Sequence, residues 1–166
     1  MRTIQGFTFL EMVIVMIISS LLLTIGIPGF TALIKGNRLL NVGSSIQTSL
    51  MFARSQSVSL MSYVTVCPLV GNSCSNNWIN GLDIFIDNDQ DQVLGVNDTK
   101  LKAADPFNNL DTLVFPTSSV TFTPDGQITG SASLFRYCTD EERIAVSIAF
   151  SGRAKIVTDE DFTDCL

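Results

Sequence analysis

Residues 12–34 form a run of 23 positions without a charged side chain, and one carboxylate, Glu11, stands at its head. About 20 apolar residues make one helical crossing of a bilayer, so the pattern predicts a membrane helix. Ser19, Ser20 and Thr24 fit inside it, because a hydroxyl can donate to a carbonyl one turn back. Gly26, Pro28 and Gly29 predict a kink or local unwinding, since proline removes a donor and crowds the preceding turn. Further on, Leu39, Val42, Ile46, Leu50, Ala53, Ser57 and Leu60 follow one another at steps of three or four. That is the stripe of an amphipathic helix, with Lys35, Arg38, Gln47 and Arg54 largely off it.

From Tyr63 the period falls to two. Strands are predicted over 63–67, 81–87, 112–115, 120–122, 134–138, 144–150 and 153–157. Pro68 stops the first, and residues 69–80 read as a loop containing Trp78 as a packing residue. Residues 88–100 are polar. Pro124-Asp125-Gly126 is a turn, and Ser151-Gly152 separates the last two strands as a hairpin. One long helix followed by many short strands predicts an α+β fold, the helix packed on an antiparallel sheet or sandwich.

Composition narrows the chemistry. The chain has 166 residues and a net charge of −6. An acidic balance argues against broad nucleic-acid binding, which depends on cationic contacts to phosphate. There is no histidine. A Ser-His-Asp triad, a Cys-His dyad and a His-ligated zinc site are thereby excluded, and no enzyme is expected. Cys67, Cys74, Cys138 and Cys165 all lie beyond the apolar run and read as two disulfides of an oxidising compartment. Three pairings exist. Cys67–Cys74, closing a loop around Gly71-Asn72, with Cys138–Cys165, tying down the C-terminus, is favoured. A four-thiolate zinc site is the alternative, although no CxxC pair is present.

Asp87, Asp89 and Asp91 space carboxylates at alternate positions, as the start of a calcium loop does. Gln92 replaces the turn glycine, and Asp98 stands at the closing position. A polar surface turn is the competing account, and apart from calcium no cofactor is expected. Arg153 and Lys155 alternate along a strand and so share a face.

Residues 1–6 are a short polar leader carrying Arg2. They end in Gly6, are followed at once by Phe7, and place Glu11 four residues past the phenylalanine. This resembles the class III signal of type IV pilins and type II secretion pseudopilins. The resemblance implies cleavage between Gly6 and Phe7 by a prepilin peptidase, then methylation of the new amine. An ordinary secretory signal has an apolar core of about 7–15 residues ahead of its cleavage site, which fits badly here. Cleavage would leave 166 − 6 = 160 residues with 16 acids against 9 bases, a side-chain net of −7. When apolar helices bundle, Glu11 of one subunit can meet the Phe7 amine of a neighbour. Either charge alone is costly in low dielectric, so the pair selects axial register.

Val66-Cys67-Pro68, Cys74, Trp78 before Gly81, Phe85-Ile86-Asp87, Phe122-Thr123-Pro124-Asp125-Gly126, Cys138, Ser151-Gly152-Arg153 and Cys165 resemble the GspH/FimT/FimU family of minor pilins. Ala53-Arg54-Ser55-Gln56-Ser57 resembles its A-R-x-x-A helix end, with Arg54 expected to be solvated or salt-bridged. The resemblance implies a pilin fold in four segments: a leader 1–6, a transmembrane and polymerisation helix 7–34, an amphipathic helix 35–62 and a β-rich periplasmic domain 63–166 with two disulfides. It implies a structural protein, held in the inner membrane by one span and then moved to an extracellular pilus, at its tip. Implied partners are other minor and major pilins, the prepilin peptidase and the inner-membrane assembly platform. The DNA-gripping G-R-x-R element of some FimT proteins appears as Gly152-Arg153-Ala154-Lys155. Lysine keeps the charge and loses the guanidinium fork, which shifts the balance toward a FimU-like priming pilin. DNA binding through Arg153 and Lys155, and a GspH-like pseudopilin of type II secretion, are the alternatives.

Overall fold

The computed structural model describes residues 8–103, 105–139 and 142–157, with the backbone alone over 25–35. The chain divides into two compact units, Met1–Arg38 and Leu39–Leu166. One helix, α1 (Phe9–Leu60), contributes to both.

In the first unit the side chains of α1 from Phe9 to Thr24 are exposed all round, Leu21, Leu22 and Leu23 among them. The polar residues behave as expected. Ser20 Oγ donates to the Ile17 carbonyl at 2.8 Å, and Thr24 Oγ1 to the Ser20 carbonyl at 2.5 Å. The helix assignment of α1 runs on through Gly26 and Pro28, where a kink or local unwinding is expected. A proline deletes one N–H from the ladder, and the turns on either side keep theirs. Among the residues whose side chains are described, no helix is long and apolar enough to cross a membrane. Those side chains stop at Thr24, while the apolar sequence continues to Ile34.

In the second unit the helical stripe is the buried one. Leu39, Val42, Ile46, Leu50, Ala53 and Ser57 are buried, and Leu60, at 44 % exposure, falls outside it. Among the described residues ten strands follow: β1 (Val64–Cys67), β2 (Leu69–Val70), β3 (Ser73–Cys74), β4 (Asp83–Ile86), β5 (Thr99–Lys102), β6 (Thr112–Val114), β7 (Val120–Phe122), β8 (Ser133–Cys138), β9 (Arg143–Ile148) and β10 (Ala154–Val157). A 3₁₀ turn, Trp78–Asn80, precedes β4. Two four-stranded sheets are ordered β5-β4-β1-β7 and β10-β9-β8-β6, and β2-β3 is a separate hairpin. Every pairing is antiparallel.

One core joins helix and sheets, and its largest fully buried side chains include Trp78, Tyr137, Phe85, Phe122 and Phe135. Each such side chain contributes about 1.5–3 kcal/mol by leaving water. Trp78 is the packing residue expected. Its ring meets Phe115 and Phe135 edge-on at 5.4 and 4.9 Å, and its Nε1 donates to the Thr117 carbonyl at 2.9 Å. Helix and second sheet approach closely at Gly43, where a Cβ would lie 2.8 Å from Ile144 Cδ1.

Three strands went unpredicted. β2 and β3 lie inside the loop assigned to 69–80, and β5 begins within the polar segment 88–100. Strand β1 is buried on both faces, Thr65 included, because the Thr65 hydroxyl bonds Asp87 Oδ2 and Thr121 Oγ1, each at 2.7 Å.

Candidate functional site

The start of α1 is set by Thr8. Its carbonyl accepts from the Met12 N–H and its Oγ1 from the Glu11 N–H, both at 3.3 Å. Thr8 is therefore the N-cap, and Thr8-Phe9-Leu10-Glu11 has the Thr-x-x-Glu spacing of a capping box. Sequence reasoning missed this signal although all four residues were in view. Glu11 lies in the first turn and is exposed. Unpaired backbone N–H groups there favour a negative charge. Gly6 and Phe7 fall outside the described residues.

A second constellation involves three distant segments. Arg54, on α1, donates from Nε to the Gly126 carbonyl at 2.9 Å. Gly126 and Gly152 have φ of +78° and +73°. A Cβ on Gly152 would collide with the Gly126 carbonyl oxygen and sit 3.0 Å from Arg54 Nε. Adjacent backbone bonds join the two turns, with Ile128 N–H donating to the Phe150 carbonyl at 3.0 Å. Arg54 is thus a buttress under two glycine turns, and the expected solvated or salt-bridged role is corrected. Nearby, Gln47 Nε2 donates to the Ala154 carbonyl at 3.1 Å, fixing β10 to the helix.

Arg153 and Lys155 are both exposed, while Ala154 between them is buried. Lys155 lies opposite Ser147 on β10, an edge strand. The two cations share an outward face, as their alternation predicts. An alternating pair on an edge presents charge to solvent and also keeps the edge from pairing with another strand.

The three aspartates converge. One carboxylate oxygen from each of Asp87, Asp89 and Asp91 lies within 4.8 Å of the others. Asp87 is 0 % exposed, whereas Asp89 and Asp91 are on the surface. Burial raises the Asp87 pKa above its ordinary value. The Thr65 hydroxyl and the Gln92 backbone oppose that rise, and the charges of Asp91 and Asp98 reinforce it. Oδ2 is satisfied by Thr65, but no donor meets Oδ1 in hydrogen-bond geometry.

The loop carrying these acids leans on the disulfide. Cys67 is bonded to Cys74, as expected from the spacing. The Cys74 N–H donates to the Gln92 carbonyl at 3.0 Å and the Leu94 N–H to the Asn72 carbonyl at 2.7 Å. Cys138 is also disulfide-bonded. Its expected partner, Cys165, lies outside the described residues.

Comparison with known proteins gives two family matches. The family model of the type II transport protein GspH matches residues 43–152, and that of the prokaryotic N-terminal methylation motif matches residues 1–27. No curated protein matches the chain. Two crystal structures of the type IV minor pilin FimU of Pseudomonas aeruginosa have a similar fold. One has a TM-score of 0.57 at 21 % identity, over 74 % of this chain and 90 % of that one. The other has a TM-score of 0.56 at 22 % identity, over 72 % and 92 %.

Proposed function

This chain belongs to the family of the type II transport protein GspH, a family of minor pilins and pseudopilins, and from that premise we propose that it is a FimU-like minor type IV pilin of a tip complex that promotes pilus assembly. The family's proteins are structural and assemble with other pilins. In the proposed course, prepilin peptidase cuts after Gly6 and Phe7 is methylated. Residues 7–34 hold the chain in the inner membrane by one span, with the β domain in the periplasm. The assembly platform then moves it into a fibre among major and minor pilins.

The observation that carries the reading is Glu11 in the capped first turn of α1, at the head of the uncharged run 12–34. A charge at bilayer depth costs at least ~2.5 kcal/mol unless something compensates it. The amine of Phe7 on a neighbouring subunit is the compensating charge the sequence supplies. Glu11→Val or Glu11→Ala removes this partner and leaves the Thr8 cap, whose acceptor and donor are Thr8 Oγ1 and a backbone N–H. The variants are expected to enter the membrane at the wild-type level and to be depleted at least about tenfold from sheared surface fibres, given the cost of an unpaired buried charge. Equal fibre incorporation by variant and wild type would overturn the reading.

A DNA-binding pilin of the FimT kind is favoured by one observation, the exposure of Arg153 and Lys155 on one edge. A GspH-like pseudopilin of type II secretion shares the fold and the N-terminal motif, and would depend on Glu11 in the same way.

A further inference from the structure

We propose that residues 87–98 bind one calcium ion. The connection between β4 and β5 spans twelve residues, from the position after Ile86 to the position before Thr99. Ile86 and Thr99 are paired across the two strands, so Asp87 and Asp98 emerge side by side at the base of the loop. Twelve is the length of a calcium loop whose ligands come from its first, third, fifth, seventh and twelfth positions. Here those positions hold Asp87, Asp89, Asp91, the Val93 carbonyl and Asp98.

The sixth position of such a loop makes a sharp turn and ordinarily holds glycine. Gln92 stands there with φ of +61°. The backbone therefore takes the required bend without the usual residue.

An acidic turn alone would not imply a ligand. The separate observation is Asp87. Its side chain is wholly buried, its Oδ1 has no hydrogen-bond partner, and it lies among the Asp89 and Asp91 carboxylates. A buried carboxylate oxygen without a donor in hydrogen-bond geometry carries a desolvation cost, which the Thr65 hydroxyl and the Gln92 backbone offset only in part, since burial still raises the Asp87 pKa. A cation at the focus of the three carboxylates would supply the missing partner. No lysine or arginine does so among the described residues; Lys100 pairs with Asp83 at 2.8 Å, and Lys102 Nζ donates to Ser49 at 3.2 Å.

Hard carboxylate and carbonyl oxygens in an irregular loop suit calcium better than magnesium, which demands a near-ideal octahedron. Asp98 is a shorter closing ligand than glutamate, and its Oδ2 already accepts from the Gly95 N–H at 2.8 Å. The affinity expected is that of extracellular calcium modules, a Kd of roughly 0.1–1 mM. The inference does not depend on which fibre or secretion machine the chain enters.

The test uses the full chain in detergent micelles. Calcium at about 5 mM is expected to raise the melting temperature by about 3–5 °C over EDTA, with one ion bound per chain by calorimetry. Magnesium at the same concentration is expected to give less than half that shift. Asp89 and Asp91 are exposed, so Asp89→Asn with Asp91→Asn keeps the fold, melts in EDTA no lower than the wild type because repulsion on Asp87 is relieved, and abolishes the calcium shift. Identical melting in calcium and EDTA would overturn the proposal. So would an equal shift with magnesium, or a calcium shift that survives in the double variant.

Discussion

Arg54 shows how much one side chain can hold. It comes from the last two turns of α1, where an arginine off the apolar stripe ordinarily reaches into water. Here its Nε bonds the Gly126 carbonyl, and its stem packs beneath Gly126 and Gly152. Arg54→Ala leaves that carbonyl without its donor and opens a space under both turns. A loss of roughly 1–3 kcal/mol in unfolding free energy is expected, read from urea denaturation of the purified chain. Arg54→Lys should recover little, because its single charged nitrogen cannot reproduce the Nε position. The glycines were legible in the sequence, as Pro124-Asp125-Gly126 and Ser151-Gly152 announce turns. The arginine's role was not, because it depends on bringing positions 54, 126 and 152 together. Thr8 is the opposite case, a cap written in four consecutive residues and overlooked beside Glu11.

Among elements, legibility followed the length and strength of the apolar alternation. β8, β9 and β10 read directly, since apolar residues alternate or run together for four to six positions. β2 and β3 are two residues each and carry no period at all. β5 is Thr-Lys-Leu-Lys, with one half-buried apolar side chain, and becomes a strand by pairing with β4 across a bulge at Ile84 and Phe85. Its existence is a tertiary fact. The β2-β3 hairpin owes its place to the Cys67–Cys74 bond, which closes a loop of separation 7. Replacing both cysteines by serine should cost roughly 2–3 kcal/mol by loop-closure entropy. The amides of Cys74 and Leu94, bonded across to the aspartate loop, should lose their hydrogen-exchange protection first. Protection unchanged at those two amides would mean the hairpin holds itself without the bridge.

On the scale of the whole molecule, the fold class and the pilin kinship were both legible, the first from the change of period at Tyr63 and the second from Gly6, Phe7 and Glu11. The choice between fibre building and DNA capture was not, because it turns on two exposed cations within an acidic chain. With 16 acids against 10 bases, the field around the domain opposes a polyanion, and two phosphate contacts add little against salt. Duplex DNA is therefore expected not to bind the full chain in detergent at about 150 mM salt. Arg153→Gln with Lys155→Gln should leave fibre incorporation intact. Binding at that salt, lost in this double variant, would assign the chain to DNA capture instead.

The Arg54 buttress has a mechanical consequence. A filament under tension pulls on its subunits along their helices, and in this domain the β layers hold α1 through Arg54, Gln47 and the Gly43–Ile144 contact. Sliding the helix lengthwise would drag the arginine stem against two tight bends while it pulled Ile46, Leu50 and Ala53 out of the core. That interlock would act as a shear pin against axial slip, and in the fibre proposed above tension along the helix would load it directly.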